Sequence, residues 1–310
     1  MVRFAVDPDT LARLQRRNRL ETALTLLVLV LLAAAIGWLA AGPDGLVLGA
    51  AMMAAGLAFG ALPADTVFRQ GFGAARLTPF VAPGLFALLG ELSRRAGLAV
   101  TPALYLLPQP VLQAVAAGTA EKPGIGVTRA LVETLTPAEL AGVLAHEVSH
   151  IRHGDLFVMR LAAQASAITR AMAQAGLLVL LLWGTGAVGA HPALPALLVV
   201  APLLSDLLTL SLSRTREFLA DAGAVELTGD PQGLASALLT LERLQGDDFE
   251  RLASRGPRWL RFFRTHPTIA ERVAALREAI VVVRPALPVW AGSPWSGAVP
   301  MPRRRLPWRR

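Results

Sequence analysis

The run His146-Glu147-Val148-Ser149-His150 holds the residues of this chain best suited to chemistry. On a helix, residues four apart sit about 40° apart around the axis, one turn above the other. The two imidazoles can therefore converge on one ion. Glu147, one residue on, points to a flank where it reaches a water beside that ion. The chemistry such spacing serves is hydrolysis assisted by a bound zinc, with the carboxylate taking a proton.

A helix must carry this run, and the flanking residues specify one. Thr136 can cap it, Pro137 suits its first position, and Glu139 sits where a capping box places an acid. Leu140, Val143, Leu144, Val148 and Ile151 recur at helical spacing. A solvated helix with two surface histidines is the bland alternative.

Catalytic zinc takes three protein ligands and leaves one position open. The chain has no cysteine and five histidines, so the third ligand is a histidine or a carboxylate. His153 shares the face of His146 but sits about 10 Å along the axis, too far for all three rings to meet. His191 falls in a turn between two apolar runs. His266 and the acids remain. Glu217 and Asp221, in Ser213-Arg214-Thr215-Arg216-Glu217-Phe218-Leu219-Ala220-Asp221, are four apart and share a helix face. One can ligate while the other accepts the free N–H of a ligand histidine, which sets its tautomer and direction. Two acids on a solvated helix, paired with Arg214 and Arg216, are the alternative.

Composition places the site on a membrane protein. Of 310 residues, 54% are hydrophobic and 17% charged, and the mean hydropathy is +0.51. That is too apolar for an ordinary soluble domain. Thirty Lys and Arg against 22 Asp and Glu give +8, read here as membrane orientation and contact with anionic lipid. No basic patch interleaved with aromatics appears, which excludes a nucleic-acid partner. Cleavage of a signal peptide is not expected.

Apolar runs Thr22–Ala41 and Leu46 to about Ala64, joined by Gly42-Pro43-Asp44-Gly45, predict a membrane hairpin. Runs 171–190 and 193–212, broken at His191-Pro192, predict a second. Arginines flank both hairpins and are missing from both turns, which puts both termini and the catalytic part in the cytoplasm. His150 and Glu217 are 217 − 150 = 67 residues apart with one hairpin between them. Two crossings return both sets of candidate ligands to the same side.

Between the hairpins, residues 82–96 form an amphipathic helix that packs in the soluble part. Short runs at 103–107, 111–116 and 125–128 predict a sheet of about three strands. After the second hairpin come helices over 213–228, 233–244 and 267–280. The division expected is 1–70 for a basic segment and first hairpin, 71–170 for the sheet and His-Glu helix, 171–212 for the second hairpin, 213–283 for the rest of the catalytic part, and 284–310 for a disordered basic tail.

Three motifs stand in a fixed order: LTPAELAGVLAHEVSHI followed by Gly154-Asp155, then SRTREFLAD, then Thr265-His266-Pro267 with Glu271-Arg272. In these the chain resembles the HtpX-like membrane zinc metallopeptidases, relatives of the CAAX prenyl protease, over roughly residues 108–272. The resemblance implies one zinc held by His146, His150 and Glu217, with Glu147 as base and Asp221 beside a ligand histidine. It implies a site facing the cytoplasm of a bacterial-type membrane, in membrane-protein quality control. Its substrate strand corresponds to Gln113-Ala114-Val115-Ala116, where the family often has Asn for Gln113 and Phe for Val115. Backbone pairing with an extended peptide survives that change, while the strand's side-chain contacts differ. A donor to the developing oxyanion is also needed. Tyr105, the single tyrosine, is one candidate, and His266 is preferred on its motif, although it could instead cap the helix at Pro267.

The fold expected is mainly α: an integral membrane protein with about four transmembrane helices in two hairpins and a helical metalloprotease domain carrying a small sheet. The function expected is endopeptidase cleavage of misfolded or membrane proteins. The alternative is a weakly catalytic membrane scaffold or chaperone, which would not need Glu147. An intramembrane protease is disfavoured by Glu139, Arg152 and Asp155 on the motif helix, and a transporter by the scarcity of polar groups within the spans.

Overall fold

The structure is a computed structural model that describes residues 5–59, 62–158, 174, 177–178, 181–182, 193–245 and 267–282. Strand β1 (Ala5–Val6) leads into α1 (Pro8–Phe59). The Asp7 carboxylate accepts from the backbone N–H of Thr10 at 2.9 Å and caps the start.

Helix α1 reverses on itself. Gly42 has φ 61° just before Pro43. A Cβ on Gly49 would lie 2.7 Å from the Ala33 carbonyl oxygen, and one on Gly37 would strike the Gly45 carbonyl. In a straight helix residues 33 and 49 would be about 24 Å apart, so the two arms run antiparallel with small residues at their crossing. This is the hairpin expected from Gly42-Pro43-Asp44-Gly45. Leu24, Leu27, Leu31, Trp38 and Leu48 stand exposed on it, an apolar surface of the kind a bilayer covers. Among the described residues, Pro8–Leu39 is the one helix long and apolar enough to cross a membrane. Of the remaining expected spans, residues 171–190 lie largely outside the described residues. Residues 193–212 form the first part of a longer helix.

A four-stranded sheet follows, in the order β2 (Ala75–Arg76), β3 (Ala103–Leu107), β5 (Pro123–Thr128), β4 (Ala114–Gly118). Strands β3 and β5 are parallel, and the other two pairings are antiparallel. The expectation of three strands missed β2, which is too short to show a period. It also began β4 too early. Gln113 precedes the strand because the Thr128 hydroxyl accepts from its N–H at 3.1 Å, while its carbonyl accepts from Thr128 N at 3.0 Å. Strand β4 forms one edge of the sheet.

Helix α2 (Pro83–Ala96) buries Leu85, Leu88, Leu89 and Leu92 and ends at Gly97, φ 68°. It packs in the core, as its amphipathic pattern predicts. Short α3 (Arg129–Thr134) leads to α4 (Pro137–Arg152). The predicted capping box is present: Thr136 N–H donates to Glu139 Oε2 at 2.8 Å, and Glu139 N–H to Thr136 Oγ1 at 3.4 Å.

Helix α5 (Ala193–Thr228) runs without a break from the apolar layer to the site. In that layer Leu194, Leu198 and Ala201 pack with Leu32 and Ile36 of α1. Helix α6 (Pro231–Gln245) lies against α4. A Cβ on Gly142 would come within 2.8 Å of Leu234 Cα, so only glycine admits this approach. Ser236 and Thr240 of α6 donate to Glu139 Oε1 at 2.6 and 3.2 Å, so the capping carboxylate also joins the two helices. Helix α7 (Ile269–Ala279) runs into β6 (Ile280–Val282), which pairs antiparallel with β1. One core joins α2, α4, α5, α6, α7 and the sheet through residues such as Leu89, Leu144, Val225, Leu238, Leu276 and Ile125.

Candidate metal centre

The apolar stripe of α4 sets the direction of its polar residues. Leu140, Leu144 and Val148 enter the core, and His146, Glu147 and His150 line a cavity of about 490 Å³. Glu217 of α5 faces them from the opposite wall. One ligand atom from each of His146, His150 and Glu217 lies within 4.8 Å of the others, and all three residues are buried. His146 Nε2 is 3.5 Å from one Glu217 oxygen and His150 Nε2 is 3.8 Å from the other. The two Nε2 atoms are 3.1 Å apart with the rings perpendicular.

What lies behind each ring fixes its tautomer. His146 Nδ1 is 2.9 Å from Asp221 Oδ1, and His150 Nδ1 is 2.8 Å from Asp155 Oδ2. A carboxylate accepts the Nδ1 proton in each case, which leaves both Nε2 lone pairs aimed at the same point. Each acid is held in turn by an arginine. Arg272 of α7 donates to Asp221 through Nε at 2.7 Å and Nη2 at 2.5 Å, and its Nη1 lies 3.2 Å from Glu217. Arg272 Nη2 is also 3.3 Å from His146 Nδ1, but both are donors once Nδ1 carries its proton, so the bond is to Asp221. Arg216 Nη1 donates to Asp155. Two His–Asp–Arg chains thus flank one point.

This donor set fits a divalent cation. The carboxylates of Glu147, Asp155, Glu217 and Asp221 against the guanidiniums of Arg216 and Arg272 give 2 − 4 = −2 with neutral imidazoles. A dication balances that charge, where a buried excess would otherwise be costly. The same negative charge acts on His146 itself. Burial alone lowers the His146 pKa, but the Asp221 and Glu217 carboxylates outweigh it and push it up to about 10. A metal must displace that proton. Burial raises Asp221, and Arg272 more than reverses this, so its pKa falls below the usual carboxylate value.

The structure brings together His146, Glu147, His150, Glu217 and Asp221, and places Gln113, Ala114, Val115 and Ala116 along the same cavity. It does not bring Tyr105 there. That ring stacks on Phe68 with centroids 4.7 Å apart, and its hydroxyl donates to Asp65 at 3.3 Å. Tyr105 is therefore excluded as the oxyanion donor. His153 turns back on its own helix, with Nδ1 2.9 Å from the Ser149 carbonyl, and is not a ligand. His266 and His191 lie outside the described residues.

Sequence reading missed Asp155, Arg216 and Arg272 as parts of the site. All three stand inside or beside the motifs, but only burial separates them from solvated surface charges. Asp155 is fully buried and Arg216 is 3% exposed. Gly154, φ 73°, makes the turn that brings Asp155 back beneath His150.

Two imidazoles, an acid and a further glutamate in one cavity beside a strand edge are the equipment of a metallopeptidase, here carried next to an apolar helical hairpin. The peptidase family M48 model matches residues 82–280, and the chain belongs to that family. It is 34% identical over 287 residues to Protease HtpX of Legionella pneumophila (strain Lens), an alignment covering 84% of this chain and 98% of that one. It is 35% identical over 279 residues to the Protease HtpX homolog of Acidiphilium cryptum, covering 84% and 96%. The crystal structure of S. mikatae Ste24p superposes with a TM-score of 0.48 at 19% identity, covering 74% of this chain and 56% of that one. Over 84% of its length the chain is thus similar to proteins named Protease HtpX.

Proposed function

We propose that this protein is a membrane zinc endopeptidase that cleaves misfolded or membrane proteins at the cytoplasmic face. One observation carries the reading: both Nε2 atoms and Glu217 point at one buried spot, and both Nδ1 atoms are committed to carboxylates. A zinc there supplies a Lewis acid for the scissile carbonyl and lowers the pKa of water.

The rest of the chemistry belongs to the chain. Glu147, in the wall of the same cavity, takes a proton from the attacking water and delivers it to the leaving amine nitrogen. An extended peptide pairs along β4, Ala114–Gly118, an edge strand among the described residues, which lays a backbone carbonyl beside the histidines. Leu234, Leu238 and Leu241 of α6 form an apolar wall of the cavity and suit an apolar side chain next to the cleaved bond. His266 is assigned the oxyanion donor.

Metal removal tests the reading. Full-length protein in detergent should cleave an unfolded membrane protein, stop after chelation, and regain its rate when about one equivalent of zinc per chain is restored. A scaffold or chaperone would bind the same substrate with no cleavage before or after zinc. The orientation has its own test. Reporters fused after Arg69, Ser149 and Arg310 should read cytoplasmic, and those at Asp44 and His191 external. A cytoplasmic reading at His191 would make the second apolar hairpin a soluble element.

A further inference from the structure

We propose that the first apolar helix is a working part of the metal centre, with Thr22 of α1 positioning His150 through Arg216 and Asp155. The path is continuous. Arg216 Nη2 donates to Thr22 Oγ1 at 2.8 Å, across 194 positions of sequence. Arg216 Nη1 donates to Asp155 Oδ1. Asp155 Oδ2 accepts from His150 Nδ1 at 2.8 Å.

Each link has its orientation determined. The Thr22 hydroxyl gives its own hydrogen to the Asn18 carbonyl at 2.6 Å, one turn back in α1. Its lone pairs are therefore left for Arg216. Arg216 Nε is buried with no partner among the described residues, so its two Nη groups aim the guanidinium. Asp155, wholly buried, has one oxygen for Arg216 and one for His150. A carboxylate in that position is worth keeping only while its cation stays in place, because a buried unpaired charge is strongly disfavoured. The apolar layer of Leu32 and Ile36 with Leu194 and Leu198 holds α1 against α5 further along the same pair of helices.

The geometry makes α1 more than an anchor. Thr22 stands where the apolar run begins, so the register of that helix against α5 sets how Arg216, and behind it His150, is presented. Thr22 and Arg216 are positioning residues, and neither touches the reacting atoms. The inference rests on His150 being a metal ligand.

Zinc affinity of the full-length protein in detergent, measured by competition with a chelator, reads the effect directly. Arg216→Lys should weaken zinc about tenfold, the lower end of the usual cost of losing a partner behind a ligand, because Arg216 acts through Asp155. Thr22→Val keeps the shape and loses the acceptor, and should weaken zinc by about threefold or more, one link further out. Thr22→Ser restores the hydroxyl and the affinity. Thr25→Val removes another buried hydroxyl of α1 and should leave zinc affinity unchanged. In the Arg216→Lys background Thr22→Val should add nothing, because the path is already cut. Melting of the metal-free protein, measured alongside, separates lost folding from lost positioning. A zinc affinity for Thr22→Val within about twofold of wild type overturns the proposal, as does a loss equal to that of Thr25→Val or one that adds fully to Arg216→Lys. Failure of the ligand reading itself would show differently, as undiminished zinc binding by His150→Ala.

Discussion

Replacing Glu147 by Gln should leave the zinc in place and remove nearly all hydrolysis. The glutamate is not one of the three grouped donors, so metal content should stay near one per chain. Its neighbours are His146 and His150 on α4 and the nearby positive charge of Arg272. Glutamine fits the same space and keeps an acceptor oxygen, but it cannot take a proton at any working pH. Positioned proton transfer is typically worth about 10²–10⁴ in rate. With proton uptake from water and delivery to the amine both lost, kcat/KM should fall by about 10³ or more. The measurement is cleavage of a quenched peptide, with zinc determined in the same sample. A mutant within about tenfold of wild type at full zinc occupancy would move the base to another residue.

Glu217→Ala and Asp221→Ala should separate a ligand from its support. Glu217 faces both Nε2 atoms at 3.5 and 3.8 Å. Without it two imidazoles remain, and zinc should fall far below one per chain after mild chelation. Asp221 touches the far nitrogen of His146 and takes both arms of the Arg272 fork. Without it the ring loses its tautomer lock and Arg272 loses its main partner, yet all three donors survive. Zinc should stay bound about 10–100-fold more weakly. Elemental analysis after dialysis against graded chelator distinguishes the outcomes. If Glu217→Ala keeps its zinc while Asp221→Ala strips it, the roles of the two acids are exchanged.

The metal helix was readable from sequence because everything that specifies it is local. Thr136 and Glu139 close its first turn, apolar residues repeat at its period, and four-residue spacing puts His146 and His150 on one side. The Gly42-Pro43 reversal is local too, since a positive φ and a missing N–H need no distant partner. The acids Glu217 and Asp221 were readable as a pair, but spacing alone left open which of them ligates. Only packing turned Glu217 toward Nε2 and Asp221 toward Nδ1.

Other features have no local signature. Strands β1, β2 and β6 are two or three residues long and exist because another segment lies beside them. Tyr105 sits on a strand buried almost throughout, where alternation cannot say which face meets the site. Arg216 and Arg272 look from sequence like any charges on helical turns. Their roles come from being enclosed beside Asp155 and Asp221, where loss of water makes a paired charge strong and an unpaired one costly. Thr22 and Arg216 are 194 residues apart, and no pattern within either helix announces the other. Sequence by itself determined the histidine pair, the helix that carries it and a short choice of acids for the third position. The tertiary structure decided which buried charges hold those donors in line, because that depends on which surfaces exclude water together.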